Sequence, residues 1–162
     1  MVYIIMGVSG SGKTTIGMML AKMLAINFYD ADDFHSQHNI NKMKNYIPLD
    51  DEDRTPWLLN LAAHVAQWNR NEGAVLVCSA LKEKYRQILT RDGKEKVTFI
   101  HLEGGKSIIL ERMNRRKEHF FPSGLLESLF NALEVPLNAI TVHIDKTPEE
   151  ICTEIIDKLV SL

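Results

Sequence analysis

A glycine-rich segment at residues 7–14, GVSGSGKT, has the composition and spacing of a phosphate-binding loop. It fits the pattern G-x-x-x-x-G-K-[ST], in which glycines let successive backbone N–H groups turn toward phosphate oxygens. Lys13 would bring a positive charge to the β- and γ-phosphates, and the Thr14 hydroxyl is suited to Mg²⁺. The complete pattern disfavours the alternative, a turn that only links a strand to a helix. We therefore expect a nucleoside triphosphate to bind this phosphate loop and the start of the next helix, at Gly7, Ser9, Gly10, Ser11, Gly12, Lys13, Thr14 and Thr15.

Two aspartates, Asp30 and Asp32, supply carboxylates that phosphoryl transfer needs in addition to a phosphate loop. They lie at the end of a second predicted strand, and their alternate spacing lets one face a metal and the other an acceptor hydroxyl. The predicted central strand ends in Cys78 and Ser79, without the aspartate that many phosphate-loop proteins have there, which favours Asp30 for the metal. Ordinary turn chemistry is the alternative for these carboxylates. His35 beside them could likewise be a structural histidine or a turn residue.

A basic cluster at residues 112–117 offers positive charge for the migrating phosphoryl group. Arg112 and Arg116 are four residues apart, so they share one face of a predicted helix. This placement suits a mobile lid over residues 112–124 whose arginines neutralise charge on the transferring oxygens. A solvated helix face is the alternative, and it is the better explanation for Arg115.

Arg54 has two interpretations, which the sequence leaves open. It could pair with its acidic neighbours Asp51 or Asp53, or its guanidinium could bind the carboxylate of a substrate. The next two residues, Thr55 and Pro56, have the character of an N-cap followed by proline at the first helical position, so we expect a helix to begin there.

The elements that position these side chains follow from the hydrophobic pattern. Short apolar runs predict five strands at residues 2–6, 27–30, 74–78, 97–102 and 140–144. Amphipathic segments separate them, and Thr147 to Glu150 form a capping-box pattern before the last helix. This alternation predicts one α/β domain over residues 1–162, with a parallel sheet and ligands at the carboxyl ends of its strands.

Composition narrows the class of partner. The 162 residues carry a formal charge of −2, which offers no basic field for nucleic acid, so we expect a small-molecule substrate. Cys78 and Cys152 are too few for a disulfide framework and are expected in the core. The apolar start is too short for a signal peptide or membrane span, which predicts a cytoplasmic protein without membrane contact. A GTPase is disfavoured because residues 41–44, NKMK, end in lysine where Asn-Lys-x-Asp requires aspartate.

Taken together, these residues make the chain similar to the gluconate kinases (gluconokinases) of the small P-loop type. The resemblance covers nearly the whole length. Its phosphate loop is common to a superfamily, whereas the later motifs are specific in combination. The motifs are MGVSGSGK at 6–13, DxDxxH at 30–35, NxxKM at 39–43, PLxDxDRxPWL at 48–58, VCSALKxxYR at 77–86 and RKxHFF at 116–121.

The resemblance implies a three-layer P-loop sandwich with five parallel strands in the order 2-3-1-4-5 and a helical lid. It also implies ATP-dependent phosphorylation of D-gluconate at O6, with Mg²⁺ held by Thr14 and Asp30, and a homodimer. Lys13, Arg112 and Arg116 would stabilise the transition state, while Asp32 would accept the hydroxyl proton. The implied substrate contacts are Asp32, His35, Arg54, Ser79, Lys82 and His119.

Two departures from the family pattern flank the acidic residues: Ala31 stands where glycine is usual, and Ser36 stands where proline is usual. Two other functions remain open. One is a small-molecule kinase of the shikimate kinase type, which would share the loop, the paired aspartates and the arginine. The other is a nucleotide-binding module without catalysis.

Overall fold

A five-stranded parallel sheet forms the centre of the computed structural model, which describes residues 1–115 and 123–162. The strands occur in the predicted order, β2-β3-β1-β4-β5. Their bounds agree with the predicted ones to within one residue: β1 Val2–Met6, β2 Asn27–Asp30, β3 Ala74–Val77, β4 Val97–Glu103 and β5 Ile140–His143. The parallel register, with Ile4 opposite Leu76 and Phe99, brings the carboxyl ends of all strands to one edge.

Helices cover both faces of this sheet and complete three layers. Their bounds are α1 Lys13–Leu24, α2 Gln37–Lys44, α3 Asp51–Arg70, α4 Glu83–Leu89, α5 Lys106–Arg115, α6 Ser123–Ala132 and α7 Pro148–Val160. A short 3₁₀ turn, Ala31–Phe34, follows β2, and another, Lys94–Lys96, precedes β4. Among the described helices, none combines the length and apolar character that a membrane crossing requires.

Two hydrophobic cores form because alternate strand residues point to opposite faces. Ile5 and Val77 face the core that includes α1 and α7, whereas Ile4 and Leu76 face the core that includes α3 and α4. Continuous burial of the central strands explains why they consist of apolar runs rather than alternating patterns. Cys78 and Cys152 are both buried, as expected.

The predicted start of α3 is wrong. The helix begins at Asp51, four residues before Thr55, and Pro56 lies inside it. Asp50 caps the helix: its carboxylate accepts the Asp53 N–H at 2.8 Å, and the Asp53 carboxylate accepts the Asp50 N–H at 3.0 Å. This reciprocal pair satisfies two N–H groups at once, which a Thr55 cap cannot do, and it places Arg54 in the first turn.

The predicted cap of the last helix is confirmed. Thr147 accepts the Glu150 N–H at 3.2 Å, and the Glu150 carboxylate accepts the Thr147 N–H at 2.8 Å. Ser36, the departure noted above, caps α2 by accepting the Asn39 N–H at 3.2 Å.

Candidate active site

The phosphate loop joins β1 to α1 at the carboxyl edge of the sheet. Gly12 has a φ of +94° and caps α1, a conformation that side chains with a Cβ rarely adopt. Lys13 turns back along the loop, where its ammonium donates to the carbonyl oxygens of Gly7 at 3.0 Å and Val8 at 3.1 Å. The first N–H groups of α1 have no partner within the helix and point toward the same space, so the loop is suited to bind phosphate oxygens.

The remaining loop residues differ in their exposure. Thr14 and Thr15 are exposed, Ser9 is half-buried, and Ser11 is buried. The Ser11 hydroxyl lies without a hydrogen-bond partner among the residues that the structure describes. The Ser11 side chain therefore packs inside the loop beside Gly7 and does not present its hydroxyl to solvent.

Asp30 and Asp32 belong to the acidic turn, residues 30–35, which follows β2 at the same edge. The Asp30 carboxylate accepts the Asp32 N–H at 2.9 Å and so fixes the start of the turn. Burial raises the pKa of Asp30, and the nearby negative charge of Asp32 acts in the same direction. The Asp32 side chain is 78% exposed, and the pKa of this carboxyl is lowered, chiefly by the His35 imidazole. Asp32 is therefore an ionised, accessible carboxylate at neutral pH.

The phosphate loop and the acidic turn share one electrostatic environment. The positive charge of Lys13 lowers the pKa of both Asp30 and Asp32, although it is not the largest influence on either. The two segments are far apart in sequence but follow strands separated in the sheet by β3 alone. A phosphoryl donor on the loop and an acceptor hydroxyl at Asp32 would therefore face each other across this edge.

The donor set fits Mg²⁺ in the manner usual for phosphoryl transfer. The described residues contain no cluster of three or more His, Cys, Asp or Glu side chains that would enclose a metal. Mg²⁺ bound with nucleotide normally takes one or two protein oxygens and fills its shell with phosphates and waters. The Thr14 hydroxyl and the Asp30 carboxylate are oxygen ligands of this kind.

His35 lies inside the acidic turn rather than on its surface. Its side chain is 3% exposed and stacks on the Trp57 indole, with ring centroids 4.1 Å apart. The Trp57 Nε1–H donates to the carbonyl oxygen of Ala31 at 2.8 Å, so α3 holds both ends of the turn. This burial leaves His35 little surface to offer a substrate.

Arg54 and Lys82 meet on the ring of Tyr85, which sequence reasoning did not identify as a functional residue. The guanidinium carbon of Arg54 is 5.6 Å from the ring centroid, and the Lys82 ammonium is 5.8 Å from it. Arg54 also donates to the Tyr85 hydroxyl at 3.4 Å, and that hydroxyl donates to Asp51 at 2.6 Å. Burial and the Asp51 contact raise the pKa of Tyr85 to about 12, so the phenol stays protonated and keeps donating.

The acidic neighbours of Arg54 pair with other cations. Asp51 contacts Lys84, and Asp53 accepts from Lys42 at 2.6 Å and lies 2.9 Å from the His38 ring. Within the described chain, neither carboxylate forms an ion pair with Arg54. The guanidinium is therefore free of those neighbours and available to a ligand carboxylate, with Lys82 beside it.

Ser79 is exposed and directly follows the buried Cys78, beyond the end of β3. This position puts it at the carboxyl edge, between the phosphate loop and the acidic turn.

Helix α5 brings Arg112 against the phosphate loop. An Arg112 Nη1 atom lies 3.7 Å from the point that a Gly12 Cβ would occupy, and its Nη2 donates to the Ile144 carbonyl. Arg115 pairs with Glu111 at 2.5 Å on the exposed face, as expected for a solvated residue. Arg116 and His119 lie outside the described residues, as does most of the predicted lid.

Tyr85, Asn39 and Trp57 are the site residues that sequence reasoning missed. All three fall within motifs that carry the family resemblance, and this was the available signal. Trp57 contacts Ala31, 26 positions away, and Tyr85 contacts Asp51, 34 positions away. Spacing along the chain therefore does not indicate these contacts.

Comparison with known proteins gives a consistent result. A sequence model of the shikimate kinase family matches residues 9–160. The chain is 51% identical over 135 residues to the thermosensitive gluconokinase of Escherichia coli K12, covering 83% of this chain and 72% of that one. It is 45% identical over 143 residues to the gluconokinase of Arabidopsis thaliana, covering 80% and 76%. The crystal structure of a gluconokinase from Sinorhizobium meliloti 1021 superposes with a TM-score of 0.91 at 36% identity, over 99% of this chain and 91% of that one.

Proposed function

This chain belongs to the shikimate kinase family and, within it, to the gluconokinases, and from that premise we propose that it transfers the γ-phosphoryl group of ATP to O6 of D-gluconate. The products are ADP and 6-phospho-D-gluconate. One observation carries the assignment of the site: the phosphate loop follows β1 and the acidic turn follows β2 at the same edge of the parallel sheet, with β3 alone between them, so the two segments can act as one centre.

In the proposed reaction, the phosphate loop holds the ATP phosphates and Asp32 orients the 6-hydroxyl. The O6–phosphorus bond forms as the bond from phosphorus to the ADP oxygen breaks, and the hydroxyl proton passes to the Asp32 carboxylate. Lys13 and Arg112 stabilise negative charge on the transferring oxygens. When bound by Thr14 and Asp30, Mg²⁺ would neutralise part of the phosphate charge. Arg116 is proposed to assist on the basis of its sequence position alone.

Arg54 and Lys82 are proposed to bind the carboxylate of gluconate. Their shared contact with Tyr85 supports this role. The ring holds both cations at a fixed position, whereas Lys84, the third cation on the ring, is paired with Asp51. Ser79 and His119 are proposed to contact the hydroxyl groups of the substrate. A single domain, a cytoplasmic location and a homodimer remain predictions from the sequence.

The test is a panel of acceptors with ATP: D-gluconate, other aldonic acids and shikimate, with ADP release and phosphorylated product as readouts. We expect turnover with gluconate, and ³¹P NMR of the product should place the phosphate on O6. Preference for shikimate would assign the chain to the other kinase type. ATP binding without turnover of any acceptor would indicate the non-catalytic module.

A further inference from the structure

A buried asparagine at the start of α2 determines which nitrogen of His35 carries its proton. Asn39 is 2% exposed, and its amide nitrogen donates to the Asp53 carbonyl at 2.9 Å. A carbonyl oxygen only accepts, so this contact fixes which end of the amide is nitrogen. The same nitrogen lies 3.2 Å from Nδ1 of His35, and its second hydrogen requires Nδ1 to be the acceptor. The proton of the neutral ring is therefore on Nε2.

That proton points toward the proposed acceptor carboxylate. Nε2 of His35 is 3.7 Å from an Asp32 carboxylate oxygen, a few tenths of an ångström beyond a hydrogen bond. The Trp57 stack, with an interplanar angle of 16°, holds the imidazole in this orientation. Catalytic hydrogen bonds are often long in the absence of substrate and shorten when substrate binds.

We propose that His35 is a positioning residue for Asp32: Asn39 fixes its tautomer, Trp57 fixes its plane, and its Nε2–H holds the exposed carboxylate toward the 6-hydroxyl. This role rests on the proposed function and replaces a direct substrate contact for His35. It accounts for two features together, the burial of His35 and the exposure of Asp32. A ring that bound substrate would need the surface that Trp57 covers.

Two matched substitutions separate this role from simple packing. In His35→Gln the side-chain amide nitrogen can reach the position of Nε2, whereas in His35→Asn the amide reaches only the position of Nδ1. Misplacement of a catalytic group by about 1 Å can cost about 10²-fold in rate, so we expect His35→Asn to lose about that much kcat. His35→Gln should recover most of it, and both variants should keep the KM for ATP.

The tautomer itself is measured without turnover, by ¹⁵N NMR of the wild-type protein at mildly alkaline pH. We expect His35 to be protonated on Nε2, and we expect Asn39→Leu to give a mixture of tautomers with a lower kcat. Protonation on Nδ1 in the wild-type protein would overturn the proposal. So would an equal loss of kcat in both His35 variants, or a rise in the KM for gluconate with kcat unchanged, because the latter indicates direct binding. Absence of gluconate turnover in the wild-type protein would refute the proposed function instead, and the NMR result would then stand separately.

Discussion

Tyr85 provides the sharpest test of the proposed carboxylate site, because one atom can be removed while the ring stays. Tyr85→Phe deletes a hydroxyl that donates to Asp51 at 2.6 Å and accepts from Arg54 at 3.4 Å. The contacts of Arg54 and Lys82 with the ring, at 5.6 and 5.8 Å, do not depend on that oxygen. The hydroxyl and the ring can therefore be examined in turn.

The expected magnitude follows from these contacts. A hydrogen bond to a charged group contributes about 1.5–3 kcal/mol, but Asp51 is half-exposed and keeps Lys84, and the bond from Arg54 is long. We therefore expect a loss of about 1 kcal/mol in gluconate binding, which corresponds to a rise in KM of about fivefold. Tyr85→Leu also removes the cation–π contacts of Arg54, Lys82 and Lys84 with the ring, worth about 0.5–1 kcal/mol each, so its KM should rise further.

The assay is steady-state kinetics with gluconate varied at saturating ATP, and then with ATP varied. We expect kcat and the KM for ATP to change little, because Asp32 and the phosphate loop are untouched. Lys84→Ala is the control, since it removes an exposed partner of both Asp51 and the Tyr85 ring but leaves Arg54 and Lys82, the proposed carboxylate ligands, on that ring. A wild-type KM for gluconate in both Tyr85 variants, or a loss of kcat at unchanged KM, would refute the proposed carboxylate site.

Three further outcomes are expected. Asp32→Asn should lower kcat by about 10²–10⁴-fold and leave ATP binding intact by calorimetry, and near-normal turnover would exclude Asp32 as the proton acceptor. Asp50→Ala removes the α3 cap and should destabilise the fold by about 1 kcal/mol in denaturant unfolding. Asp33→Ala, at an exposed position, is the control, and an unchanged unfolding midpoint in Asp50→Ala would contradict the cap. Hydrogen bonds from Lys146 and then Lys158 lower the pKa of Glu154 from its ordinary 4.5 to about 2. These pairs therefore stabilise the fold at pH values above 4.5, and their contribution to the free energy of unfolding disappears as the pH falls toward 2. Glu154→Gln should therefore flatten the acid limb of stability in that window, and an acid limb of unchanged slope would count against these pairs.

The sheet could be predicted from sequence because its central strands β1 and β3 are short apolar runs, and the others carry apolar residues between polar turns. Ala74–Val77 is buried at every position, and a short apolar run of this kind is typical of a parallel strand covered on both faces. The phosphate loop is equally local, since all its determinants fall within eight residues. Both predictions depend only on residues that are adjacent in sequence, so no knowledge of the tertiary structure is needed to make them.

The start of α3 could not be predicted in the same way, because Asp50 and Thr55 are both acceptable caps by local rules. The reciprocal pair of Asp50 and Asp53 favours the earlier start, and a contact distant in sequence supports it: Lys42 of α2 donates to the Asp53 carboxylate at 2.6 Å while that carboxylate accepts the Asp50 N–H. The roles proposed for Tyr85 and His35 could not be predicted for the same reason. Their partners Asp51 and Trp57 come from α3, whose first turns could be placed only in three dimensions.

The first turn of α3 links the two ends of the proposed substrate site. On one side Asp53 is bound by Lys42 through its carboxylate and by Asn39 through its carbonyl, and this fixes α2 beside the acidic turn. On the other side Asp51 binds the Tyr85 hydroxyl, which fixes the ring that carries Arg54. Gluconate has its carboxylate at C1 and its reacting hydroxyl at C6, so the two groups to be recognised lie at opposite ends of one chain. Because a single helical turn contacts both proposed recognition points, rigid secondary structure rather than a loop would set their separation. We therefore expect the proposed site to select an acid by the distance from its carboxylate to its terminal hydroxyl, which the phosphate loop alone cannot do.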